Sequence, residues 1–120
     1  MDSLQIAQTA ADTAVDKRAS DVLILDVGKI SVLCDYFVVS SAPTRVQTRD
    51  IARSIEDALN KKGHQKRRIQ GLEEGAWILI DYGDVVIHVF LQQEREFYDL
   101  EGLWKEAPVA FDSKAVGLTS

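Results

Sequence analysis

A chain of 120 residues with 46% hydrophobic and 28% charged residues has the size and composition of one soluble globular domain with a single core. Its net charge of −5 disfavours partners held by phosphate neutralisation and favours a basic surface, including a basic protein embedded in an RNA particle. One cysteine, Cys34, excludes an internal disulfide and fits a reducing compartment, with burial its expected state. No apolar run nears the roughly 20 residues that span a bilayer. The N-terminus carries neither a secretory nor a transit pattern, so a cytoplasmic protein without membrane contact is expected.

In chain order, Asp2 or Ser3 can cap a first helix running from about Leu4 to Lys17, with an alanine-rich face suited to lying close to a sheet. Asp21 to Val27 reads as a buried strand ended by Gly28, and Asp35 to Ser40 as a second, with Ile30 to Cys34 between them. Thr44 and Gln47 have capping-box spacing at the start of a second helix, whose buried stripe is Ile51, Ile55, Ala58 and Leu59. Lys61, Lys62 and Gly63 close it, cations and then glycine. The run from Lys61 to Arg68 is basic at five of eight positions. It reads as a helix end followed by a charged edge strand, Gln65 to Gln70. Lys66, Arg67 and Arg68 remain candidates for contact with RNA phosphates, although no aromatic interleaves with them to stack bases.

The chain is organised around Ala76 to Trp104, which holds both tryptophans. Trp77 to Asp81 and Val85 to Leu91 form a predicted hairpin across a Gly-Asp turn. Strand alternation puts Ile78, Ile80, Val85, Ile87 and Val89 on one aliphatic face, expected to be core. Trp77, Leu79, Asp81, Val86, His88 and Phe90 share the other. That mixed face is either the second side of a sandwiched sheet or a surface bound by a partner, since a half-wet tryptophan offers large contact area at low entropy cost. Gln92 to Trp104 reads as a helix with Phe97, Leu100, Leu103 and Trp104 at helical spacing. The domain is expected to span 1–108, with 109–120 a flexible tail. The fold class is α/β (α+β): one domain, a mixed sheet of about five strands, and helices mainly on one face.

Support for catalysis is thin. There is no glycine-rich phosphate loop and no Cys/His cluster at metal-ligand spacing, so neither metal nor cofactor is expected. Ser40 and Ser41 precede the second helix, where capping is the commoner fate of a serine and anion binding the rarer. His88 reads as a packing or interface residue, with no nucleophile nearby in sequence. Asp26, Asp35 and Asp81 lie at strand ends, but their spacing gives no sign of convergence on a two-metal site.

The segments DYFVVSSAPT, the Gly71-to-Gly75 loop, WILIDYGDVVIHVF and REFYDLEGLW together resemble the ribosomal silencing factors, the Iojap family. The likeness covers roughly Ala7 to Lys105, with several separate blocks in order. It implies a nucleotidyltransferase-like fold without that fold's paired catalytic acids; the region where they should stand, Gln65 to Gln70, has no carboxylate. It also implies binding to the large ribosomal subunit through ribosomal protein fourteen, which blocks joining of the small subunit and represses translation when nutrients are scarce. Relatives in organelles assist large-subunit assembly. On this basis the expected partner-binding residues are Trp77, Leu79, Asp81, His88 and Phe90, joined by Arg95, Tyr98 and Glu101, with a monomer or weak homodimer as the acting form. The rival readings are an assembly factor or adaptor, and an enzyme on the nucleotidyltransferase-like scaffold.

Overall fold

The computed structural model is described for residues 3–117. Helix α1 (Ser3–Asp16) buries Ile6, Ala7, Ala10, Ala11 and Ala14, and the short alanines let its axis lie close to the strands beneath. Of its two expected caps, Asp2 lies outside the described residues. Ser3 falls inside the helix and donates to Asp35 Oδ2 at 2.9 Å. Strand β1 (Ser20–Leu25) leads through a 3-10 turn (Val27–Lys29) to β2 (Tyr36–Ala42), and helix α2 spans Arg45–Lys61. Thr44 Oγ1 accepts from the Gln47 amide at 3.2 Å, which is the anticipated N-cap. Lys62 is the C-cap, and Gly63 follows at φ +85°. Three short segments come next: β3 (Arg68–Gln70), β4 (Trp77–Asp81) and β5 (Val85–Leu91).

The six-stranded sheet runs β3-β4-β5-β2-β1-β6, where β6 is Val109–Asp112. β2 and β5 pair in parallel at its centre, and all other neighbours are antiparallel. β6 is the first correction to the sequence reading, which ended the domain at 108 and began a tail at 109. Val109 to Asp112 instead pairs with β1, and Ser113 is fully buried, its Oγ accepting from the Val22 amide at 2.9 Å. A strand of four residues bearing one aromatic carries too little periodicity to stand out from a tail. The far end of the expected tail, 118–120, lies outside the described residues.

The second correction concerns the C-terminal helix. It breaks at Asp99, which adopts φ +47°, giving α3 (Gln92–Tyr98) and α4 (Leu100–Leu103). Asp99 accepts from the Gly102 amide at 3.2 Å and so caps α4, while its own amide bonds to the Arg95 carbonyl. The break turns Phe97 and Leu103 outward, 80% and 78% exposed, and leaves Leu100 as the buried residue of the expected stripe.

Helices accordingly cover both faces, where mainly one was expected. α1 and α2 close the aliphatic side over Val22, Ile24, Val38, Ile78, Ile80, Ile87 and Val89, all fully buried. α3 and α4 partly close the other side over Leu25, Val39 and Phe90, with Leu100 and Ala107 in that second core and Trp77, Val86 and Trp104 packed at its margin.

Candidate partner-binding surface

The hairpin register pairs Trp77 with Phe90, Leu79 with His88 and Asp81 with Val86, so the mixed face is assembled as alternation predicts. Asp81 Oδ1 accepts from the Gly83 amide at 2.7 Å, and Gly83, at φ +88°, supplies the left-handed turn residue. The loop before β4 is pinned from α2. Arg45 and Arg49 donate to the carbonyls of Glu74 and Glu73 at 2.6 and 3.0 Å, and Thr48 Oγ1 donates to the Gly75 carbonyl at 2.6 Å. Gly71, at φ +80°, lies so close to the Trp77 carbonyl that any Cβ there would collide with it. These contacts fix the entry to β4 and hence the place of Trp77.

The expected binding residues divide into three groups. Trp77, Leu79 and Asp81 are half-buried, and with Gln70 and Gly71 the first two line a shallow apolar depression of about 320 Å³. Tyr98, 46% exposed, continues that surface with its ring 4.9 Å from Trp77, and Phe97 stands edge-on to Tyr98 at 5.0 Å. His88 and Phe90 form the second group, and here the expectation fails: they are 4% and 0% exposed and cannot touch a partner directly. The α3–α4 segment and the neighbouring aromatics cover them.

Arg95 and Glu101 are the third group. Arg95 was expected at the surface and is buried beneath α3, with its Nε 3.0 Å from Glu101 Oε2. Its guanidinium also donates to the carbonyls of Ser20 and Asp21 and to Ser41 Oγ, at 3.1, 2.8 and 2.9 Å. Those two carbonyls belong to an irregularity in β1, where pairing with β2 slips between Ser20 and Leu23 and Asp21 takes φ +49°. A β-bulge points backbone acceptors out of the ladder, and a planar guanidinium with five donors satisfies several at once. Arg95 therefore fastens the lid to the sheet, and Glu101 neutralises it.

Other expectations resolve similarly. Ser40 and Ser41 are buried in β2 and neither caps α2. In the basic run, Lys66 pairs with Glu56 and Arg68 Nε lies 3.5 Å from Asp81 Oδ2, whereas the Arg67 guanidinium packs over Gly83. Asp26 and Asp35 line one groove beside Ser3 at the start of α1, but Asp81 is not part of it. Among the described residues no group of three or more His, Cys, Asp or Glu is placed to hold a metal ion. Cys34 is buried with its thiol directed at the carbonyls of Tyr36 and Asp84, both at 3.2 Å, and burial pushes its pKa up. Among the described residues no helix is long and apolar enough to cross a membrane.

Phe97 and Leu103 are the surface residues that sequence periodicity missed. Their signal was the Asp99-Leu100-Glu101-Gly102 spacing, an aspartate three residues ahead of a glycine amide, which restarts a helix within an apparently continuous one. The segment from Gln92 to Glu106 also carries five carboxylates against two cations, one of them the buried Arg95. Exposed rings in an acidic rim suit an apolar contact on a basic protein.

Comparison with known proteins places these features in a family context. Residues 1–119 match the family model described as ribosomal silencing factor during starvation. The chain is 43% identical over 110 residues to the ribosomal silencing factor of Bacillus subtilis, covering 92% of this chain and 93% of that protein. A crystal structure of a Chromobacterium violaceum protein superposes with a TM-score of 0.84 at 32% identity, covering 88% of each chain. A mouse protein named for mitochondrial assembly of the ribosomal large subunit is 31% identical over 94 residues, 73% of this chain and 40% of that protein.

Proposed function

Because the chain belongs to the ribosomal silencing factor family, we propose that it binds the large ribosomal subunit through ribosomal protein fourteen and keeps the small subunit from joining. The observation that carries this reading is the half-exposed Trp77–Leu79–Tyr98 surface, continued by Phe97 and rimmed by acids. A folded domain of 13.4 kDa seated at a subunit interface prevents docking by volume alone and needs no chemistry. It has only to outcompete the small subunit at prevailing concentrations, which a protein interface of standard size achieves. Trp77 is the anchor, Leu79 and Tyr98 extend its apolar contact, and Asp81 and the lid carboxylates steer the basic partner.

The test is sedimentation of purified ribosomal subunits with and without the protein. Wild type should shift joined ribosomes to free subunits and travel with the large one. Trp77→Ala should stay folded and bind large-subunit protein fourteen about thirtyfold more weakly, an anchor's worth of roughly 2 kcal/mol. A folded Trp77→Ala that binds and silences normally would place the surface elsewhere. A second reading, large-subunit assembly, is favoured by the likeness to the mouse protein. It predicts that deleting the gene leaves immature large-subunit particles even in nutrient-rich growth, an outcome that silencing alone does not give.

A further inference from the structure

Resting on the Trp77 surface proposed above, we infer that His88 is a positioning residue, whose imidazole fixes the orientation of the Trp77 indole from inside the fold. The indole Nε1–H donates to His88 Nδ1 at 3.1 Å. An indole nitrogen only donates, so Nδ1 is the bare nitrogen of a neutral imidazole and the proton sits on Nε2. That Nε2 is buried and meets no hydrogen-bond partner among the described residues. A buried donor left unpaired carries an uncompensated desolvation cost, which a leucine filling the same space would avoid. The position nonetheless holds a histidine whose hydrogen bond reaches outward to the half-exposed tryptophan.

The surroundings make the imidazole a rigid post. Phe37 packs edge-on against it, ring centres 4.9 Å apart at 72°, and Phe90 lies nearly parallel at 6.1 Å and 12°. Trp77 is flanked in turn by Phe90 at 4.8 Å and Tyr98 at 4.9 Å. The two flanking rings limit the tilt of the indole but do not choose which edge faces inward; the Nδ1 acceptor does. Without it the indole N–H would face an apolar wall, and the ring would gain by turning that edge to water. An anchor held in its bound orientation loses less freedom on association.

The experiment uses the full chain and purified large ribosomal subunits. His88→Leu removes the acceptor while keeping bulk, and His88→Asn returns an acceptor close to the Nδ1 position. The readouts are the dissociation constant, the melting temperature, and the Trp77 indole ¹H–¹⁵N resonance with its hydrogen exchange, identified against Trp77→Phe. His88→Leu should melt no lower than wild type, lose the hydrogen-bonded indole shift and exchange faster. Its dissociation constant should rise about three- to tenfold, the range for one hydrogen bond. His88→Asn should recover part of both the shift and the affinity. If His88→Leu loses the indole shift yet binds like wild type, or keeps the shift, the positioning role is wrong. If His88→Leu does not fold, His88→Asn is compared with His88→Gln, whose acceptor sits nearer the Nε2 position; equal binding by the two overturns the inference. Normal binding by Trp77→Ala would remove the surface reading itself, whereas weakened Trp77→Ala beside intact His88→Leu removes the positioning role alone.

Discussion

The two faces of the β4–β5 hairpin come from alternate residues of the same strands, yet they are closed in different ways. Over Ile78, Ile80, Ile87 and Val89 lie helices of 14 and 17 residues, and every one of these side chains is fully buried. Over Trp77, Leu79, His88 and Phe90 lie helices of 7 and 4 residues, and burial grades from complete at Phe90 to half at Trp77 and Leu79. A short broken helix cannot span a sheet face, so it leaves an aromatic margin in water. The first face makes the domain stable; the second combines a small core with a surface, and the polar groups among its rings hold that surface in register.

The contrast is tested most severely on the aliphatic side. Ile80→Ala should cost about 2–5 kcal/mol, as large-to-small changes in a closed core do, and should lower the thermal midpoint sharply. A loss under about 1 kcal/mol would show that this face is not the chief core. Next in size is Arg95→Ala. It strips a half-buried carboxylate and two bulge carbonyls of their donor, and should cost about 3 kcal/mol. Faster amide exchange confined to α3 and α4 would identify Arg95 as the fastening of the lid; uniform exchange would reject that role.

Acidification sharpens the comparison further. Burial lowers the pKa of His88 to about 4, against an ordinary value of 6.5. The unfolded chain therefore binds a proton between those values that the folded chain does not. Stability is fully present above the unfolded pKa and falls as pH drops toward the folded one. Between pH 7 and pH 5 the loss from this group should be about 2 kcal/mol. Denaturant titrations of wild type and His88→Leu should differ in slope across that window, and parallel curves would contradict it. The smallest effect is expected for Lys66, Arg67 and Arg68 changed together to glutamine, about 0.5 kcal/mol in stability. Weaker large-subunit binding with a flatter salt dependence would reveal an RNA contact at that edge; unchanged binding at every salt concentration would leave these charges to edge protection.

Much of this was legible in the chain, for reasons visible at particular residues. The Thr44 cap, the Gly63 stop and the two hairpin faces follow from short-range chemistry and were anticipated correctly. What escaped depends on contacts distant in sequence. The burial of Arg95 is decided by a bulge some 75 residues earlier, and no local pattern announces that pairing. His88 and Phe90 have the right parity for the mixed face, but parity does not say how far a lid will reach across it. β6 needed an open edge on β1 to become a strand. The family resemblance supplied the expected role, whereas the division of the expected residues into half-buried, fully buried and fastening groups required the three-dimensional arrangement.

The placing of β6 also bears on how the molecule is made. β1 is synthesised well before β6, and one of its edges stays open until Val109–Asp112 has been made and has folded back. The central β2–β5 pairing waits almost as long, since it joins Tyr36 to Val85. Sheets closed by such distant pairings form slowly. Until then the nascent chain presents an unpaired apolar strand, so shortening it ahead of Val109 should reduce soluble yield more than it changes the folded surface.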